Sequence, residues 1–271
     1  MITTALRSLP VLTLLAAPLS AHEFWLRPAT HFAAPDDTVE FALRVGMDFQ
    51  GEPRPFTCEL VTAFNHFTAS GRSDEYSRVP ATAVEPSTLS LPLAGSGTHL
   101  LAVDTIAKSI TLEAEKFNDY LREDGLDRVL RLRAERGQEK SPGRELYRRC
   151  VKTLVRVGES SDTTYATRTG QRLEIVPRAD PFATRPGGSL GFTVFFDDQP
   201  LAGALVRAWH RQGDKLTELP ARTAADGTVA FTLPFAGDWM ISVVHMVPLA
   251  DAPGYDWQSY WGNLTFAIPT P

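Results

Sequence analysis

From Arg172 onward, apolar side chains recur at every second residue in short runs, and turn signals close those runs. Leu173 to Val176 is one such run. Leu190, Phe192, Val194 and Phe196 alternate before Asp197-Asp198-Gln199-Pro200, and Ala204 to Trp209 returns. Asp226-Gly227 closes a hairpin into Val229-Ala230-Phe231, Phe235-Ala236-Gly237-Asp238 turns into Trp239 to Val247, and Asn263 to Ile268 adds another run. A period of two sends successive side chains to opposite faces of a strand, so each segment must bury one face against a second layer. About seven short strands at this spacing predict an immunoglobulin-like or transthyretin-like β-sandwich.

The preceding half carries the same signal with an interruption. Thr38 to Val45 alternates, Phe56 to Phe67 holds strand material, and Thr98 to Val103 reads as a core strand. Between Glu113 and Lys140 charge dominates, while Phe117 and Leu121 stand four apart and Leu126, Val129 and Leu130 repeat that spacing after Gly125. Two short amphipathic helices meeting at Gly125 are expected, the second ending near Gly137. Ser141-Pro142 offers an N-cap with proline at the first helical position, which predicts a further helix through Glu145, Leu146 and Tyr147. The expected fold is mostly β: a sandwich domain over 22–165 with a helical segment over 113–150, then an immunoglobulin-like sandwich over 166–271.

Residues 1–21 read as a secretory signal peptide. Arg7 supplies the positive end, Leu9 to Leu19 is apolar apart from Thr13, and Leu19-Ser20-Ala21 ends in a small residue before a cleavage point. An exported protein is implied, which in a bacterium means the periplasm, and no later apolar run is long enough for a membrane span. The formal net charge of -5 becomes -6 without Arg7, which argues against a nucleic-acid partner. Cys58 and Cys150 are the two cysteines, and an even, well-separated pair in an oxidising compartment predicts one disulfide.

No GxSxG elbow, phosphate-cradling glycine loop or HExxH helix is present, so no catalytic residue is assigned. Of six histidines, His22 is distinctive because cleavage after Ala21 would give it a free α-amine beside its imidazole. Both groups deprotonate readily for a metal near neutral pH, and with one more imidazole they would form a three-nitrogen histidine brace. Such a site favours Cu(II), with Ni(II) and Co(II) weaker. His245 is the candidate third nitrogen, because it continues the face of Trp239, Ile241 and Val243 at the strand end before Pro248. The alternative, that His245 only caps that core face, stays open. Met246 would point to the opposite face, and Asp256, in the aromatic run Tyr255 to Trp261, could donate an oxygen or orient an imidazole.

Several stretches together resemble a known family. They are His22-Glu23-Phe24-Trp25-Leu26, Arg44-Val45-Gly46 with Phe49-Gln50-Gly51-Glu52, and Phe117 to Leu121 with Glu123-Asp124-Gly125-Leu126. Leu154 to Gly158, and Val244-His245-Met246 with Asp256 to Trp261, complete the set. The chain is similar to the exported family catalogued as domain of unknown function 4198, itself similar to periplasmic components of cobalt and nickel uptake systems. Members often carry histidine after the Val-Gly pair, where this chain has Met47-Asp48, so His22 and His245 are the positions that match. The resemblance implies handling of copper, nickel or cobalt in uptake, buffering or delivery, with a membrane metal transporter as partner. Two alternatives are a copper-dependent oxidase or oxygenase using the same site, and a structural or adhesive β module without metal.

Overall fold

A computed structural model describes residues 23–85, 87–250 and 252–270. Residues 1–21, expected to be a signal peptide, and His22 lie outside the described residues. The first half contains β1 (Glu23–Pro28), β2 (Phe32–Ala33), β3 (Thr38–Met47), β4 (Gln50–Arg54), β5 (Val61–Thr68), β6 (Gly71–Asp74), β7 (Thr88–Pro92), β8 (Gly97–Thr105) and β9 (Lys108–Leu112). Helices α1 (Ala114–Glu123) and α2 (Asp127–Glu135) follow, then the long β10 (Gly143–Val157). The second half contributes β11 (Leu173–Pro177), β12 (Gly188–Phe196), β13 (Gln199–Pro200), β14 (Leu205–Gln212), β15 (Lys215–Arg222), β16 (Thr228–Leu233), β17 (Gly237–Pro248) and β18 (Trp257–Ile268).

The fold is mostly β with a short helical insertion, as the alternation implied. Its centre is a ten-stranded sheet along which β15, β14, β17, β18, β10, β8, β5 and β6 are neighbours, with β2 and β9 also paired to β10. Strands from both halves of the sequence enter this sheet. They meet where β10 and β18 run parallel, from Glu145 opposite Trp257 to Thr153 opposite Thr265. One face packs on the sheet of β11, β12, β13 and β16, burying Leu100, Leu154, Phe192, Trp239, Ile241 and Phe266. The other face is covered at one end by the sheet of β1, β3, β4 and β7, where Leu26, Phe41, Leu43, Leu101, Val151 and Val155 are buried. At its other end lie the helices, whose Phe117, Leu121 and Val129 pack with Val244, Met246, Trp257 and Trp261.

Two expectations are corrected. The segment after Ser141-Pro142 is not helical but the start of β10, because edge pairing on both sides outweighs the local capping signal. Glu145 pairs with Ile110 of β9 and with Trp257 of β18. Gly143 marks the close approach of α1, since a Cβ there would meet the Phe117 ring at 2.2 Å. The disulfide is also absent, and both cysteines are free thiols. Cys150 faces the core shared with β11 and β12, whereas Cys58 packs on the core beneath β1 and β3 and donates to the Val79 carbonyl at 3.4 Å. The central sheet stands between those two cores.

Candidate functional site

Strand alternation turns Glu145, Tyr147 and Arg149 of β10 to the face that carries β1 and the helices. The parallel neighbour β18 turns Ser259, Trp261 and Asn263 the same way. Between the β1–β3–β4 sheet and α1 this face stays open as a cavity of about 750 Å³, walled by Tyr120, Glu145, Tyr147, Arg149, Trp261 and the β3–β4 hairpin. A smaller recess of about 180 Å³ is lined by Glu23, Asp124, Arg207 and Trp209. The two share Met47 and Asp48, the latter at the hairpin turn with φ 55°.

Four protein segments bring charge into this interior. Glu145 accepts hydrogen bonds from Ser259 and, at 3.2 Å, from the Tyr120 hydroxyl, while Trp261 donates to Ser259 at 3.0 Å. The Arg149 guanidinium lies 4.2 Å from the centre of the Trp261 ring and 5.3 Å from that of Tyr147. Arg207 links Asp124 at 3.1 Å to Glu218 at 2.9 Å. β1 crosses the sheet above β18, where Asn263 donates to the Phe24 carbonyl at 2.7 Å. The neighbouring Glu23 carboxyl faces Ser242, Asn263, Arg149 and Arg207.

Buried polar atoms lacking partners concentrate here. Glu23 Oε2, Asp124 Oδ2, Arg149 Nη1 and Asn263 Oδ1 are all buried without a hydrogen bond from any described residue. An orphaned buried polar atom costs on the order of 1–3 kcal/mol, so several in one place mark a position built for a polar guest. The acids respond accordingly. Burial, and then the nearby Glu23 carboxyl, push Asp124 up to about 7 against the pull of Arg207. Burial pushes Glu145 up to about 7 against its hydrogen bonds from Ser259 and Tyr120, and raises Glu23 as well.

His245 occupies the position expected at the end of the Trp239, Ile241 and Val243 face, 4.4 Å from the Phe196 ring. Burial and the cationic Arg128 hold its imidazole down to about 4. This is the opposite face of the sheet from Glu23: Ser242 pairs with Asn263 below β1, whereas His245 pairs with Tyr260 over Phe196. Met246 turns away from His245 into the core under the helices, as alternation requires. Asp256 is engaged by Arg144 through contacts of 2.6 and 2.8 Å. The remaining described histidines have structural partners: His31 bonds the Leu154 carbonyl, His210 the Asp238 carbonyl, and His66 bonds His99. Among the described residues no three His, Cys, Asp or Glu side chains converge as metal ligands.

Sequence reasoning missed Glu23, Asp124, Glu145, Arg149 and Arg207. The one local signal was the placement of Glu145 and Arg149 at even spacing before a β-branched run, which a strand turns to one face.

The arrangement is embedded in a shared sequence pattern. The profile described as Domain of unknown function (DUF4198) matches residues 19–247, most of the chain. The chain belongs to this DUF4198 family. That span takes in β1, α1, β10 and β14, so the DUF4198 match covers the four segments that bring charge into the interior described above. No curated protein sequence matches the chain. Solved structures with some similarity include a tetra-tandem repeat from the extending region of a large adhesion protein. It has TM-score 0.23 and 10% identity over 93% of this chain and 50% of that one. A Salmonella alpha-2-macroglobulin variant gives TM-score 0.24 and 12% identity over 97% of this chain and 16% of that one. Escherichia coli alpha-2-macroglobulin activated by porcine elastase gives 0.23 and 12%, over 91% and 23%. The chain spans half or less of each of these, and similarity at that level carries no functional argument.

Proposed function

We propose that this protein is an exported, periplasmic carrier of a transition-metal ion, copper before nickel or cobalt, held where the mature chain begins. One observation supports the reading above the others. The residue that follows His22 is Glu23, and its buried carboxyl has a free oxygen beside the equally unpartnered Oδ2 of Asp124. The α-amine and imidazole of His22 would supply two nitrogens, and the two acids would supply oxygens and negative charge. His245, across the sheet, is the competing third ligand.

The test is calorimetry with Cu(II) and Ni(II) on protein processed to begin at His22. A form extended by one residue before His22 should bind roughly tenfold or more weakly, because its terminal amine is displaced. Glu23→Gln and Asp124→Asn should each weaken binding by roughly 10- to 100-fold, and His245→Ala should leave it unchanged. Equal affinity of the processed and extended forms overturns the reading. Loss in His245→Ala with no loss in the two acid variants moves the site to a three-nitrogen brace.

A further inference from the structure

The cavity of about 750 Å³ is far larger than an ion requires, and it falls in the range of pockets that hold small organic molecules. Its chemistry is divided. The lining includes the half-buried Arg149, whose Nη1 has no hydrogen-bond partner among the described residues; Glu145 on the same strand is fixed through Ser259 and Tyr120. It also includes the apolar and aromatic Val45, Ile110, Leu112, Tyr147 and Trp261, the last two against Arg149 itself. Arg54 and Arg211 also line the cavity, and Arg211 is tied to the hairpin by a 2.8 Å hydrogen bond to the Asp48 carbonyl.

A half-buried guanidinium that lies against aromatic rings and lines an open cavity is a strong host for a planar anion, which it grips through a charge-assisted bond. Stacking on Trp261 and Tyr147 fixes the plane of the Arg149 fork, so the anion's orientation is set before it arrives. Glu145 sits on the same strand face four residues before Arg149, and its carboxyl is near enough to feel the guanidinium charge. A carboxyl held near neutrality by burial accepts from an amine or hydroxyl of the guest without adding a full repelling charge next to the guest's anion.

We propose that this cavity binds a small organic carboxylate bearing an amine or hydroxyl near the carboxyl group, the anion on Arg149 and the neighbouring group on Glu145. Amino acids and hydroxy acids share this chemistry. The inference does not require a bound metal. It places an organic acid beside the recess of Glu23 and Asp124, with only the Met47-Asp48 turn between the two.

The experiment uses metal-free processed protein, with L-histidine, citrate and histamine as probes in calorimetry and thermal-shift assays. L-histidine and citrate stand for the two sources, and histamine is the amino acid without its carboxylate. Binding of L-histidine or citrate is expected, with histamine about tenfold or more weaker. Arg149→Gln should lose the binding. Because Arg149 also neutralises buried acids, Leu112→Trp provides a second arm: it fills the cavity, leaves Arg149 in place, and should abolish binding with little change in the melting temperature. Failure of both carboxylates to bind wild type, equal binding of histamine and L-histidine, or unaltered binding by Leu112→Trp would each overturn the proposal. All arms exclude metal, so a negative result here leaves the ion site standing, and a protein that takes no metal can still pass.

Discussion

His66 Nε2 lies 2.8 Å from His99 Nδ1, joining β5 to β8 through two buried imidazoles. His99 Nε2 reaches the Gly95 carbonyl at 3.4 Å, so its ring donates there and accepts from His66, an arrangement that requires the His99 ring to be neutral. Burial lowers both, His66 to about 4 with His99 adding to the effect, although Glu75 and Asp162 pull the other way. Native pKa values below the unfolded value mean that stability is complete above about pH 6.5. It falls as pH drops toward 4, because the unfolded chain then takes up protons that the native pair refuses. Urea unfolding between pH 4 and 8 should show a loss of about 2–3 kcal/mol across that window. His66→Gln should flatten the profile, and an unchanged slope in that variant would assign the acid sensitivity elsewhere.

Lys152 and Glu174 form an ion pair of 2.9 Å in which neither side chain meets solvent. Burial raises Glu174, but Lys152, Arg168 and Thr169 together hold it down to about 2. Glu174→Gln strands the Lys152 ammonium and should cost about 3–5 kcal/mol by urea denaturation, whereas Lys152→Met with Glu174→Leu should recover much of that loss.

The free cysteines give a direct chemical readout. A thiol reagent on native protein should modify the half-buried Cys58 first, while Cys150, whose thiol is raised by burial and then by Asp104, should react only after denaturation. Two thiols in unreduced, denatured protein are expected; none would mean that the cysteines pair.

As a proposed ligand, Asp124 would couple binding to stability. Its native pKa of about 7 lies above the unfolded value, so its neutral form favours folding and that contribution is lost as pH rises through 7. Asp124→Asn should therefore be more stable than wild type at pH 8, by about 1 kcal/mol after the lost contact with Arg207 is offset. Metal affinity in wild type should rise from pH 6 to 8 as the carboxyl ionises, and the variant should show a shallower rise.

The β architecture was legible because β3 and β12 alternate and β8 and β17 are apolar runs bounded by turn residues, and the helices were legible from Phe117, Leu121 and Val129. The start of β10 was not. Ser141-Pro142 has the chemistry of a helix start, and only the flanking β9 and β18, which at Glu145 are 35 and 112 residues distant by register, determine that it is a strand. The aromatic run from Tyr255 to Trp261, in which Asp256 was an expected oxygen donor, likewise passes into the start of β18. The interior acids and arginines come from β1, the end of α1, β10 and β14. No spacing rule connects positions brought together by a sheet crossing.

The parallel pairing of β10 with β18 also governs the order of assembly. A chain emerging residue by residue completes β10 long before residues 257–268 appear, so that flank of β10 must wait through about a hundred residues of further chain. During that interval Glu145 and Arg149 have no Ser259 or Trp261 beside them. The interior site therefore forms late, and a chain cut between the two strands would present an open sheet edge to its neighbours.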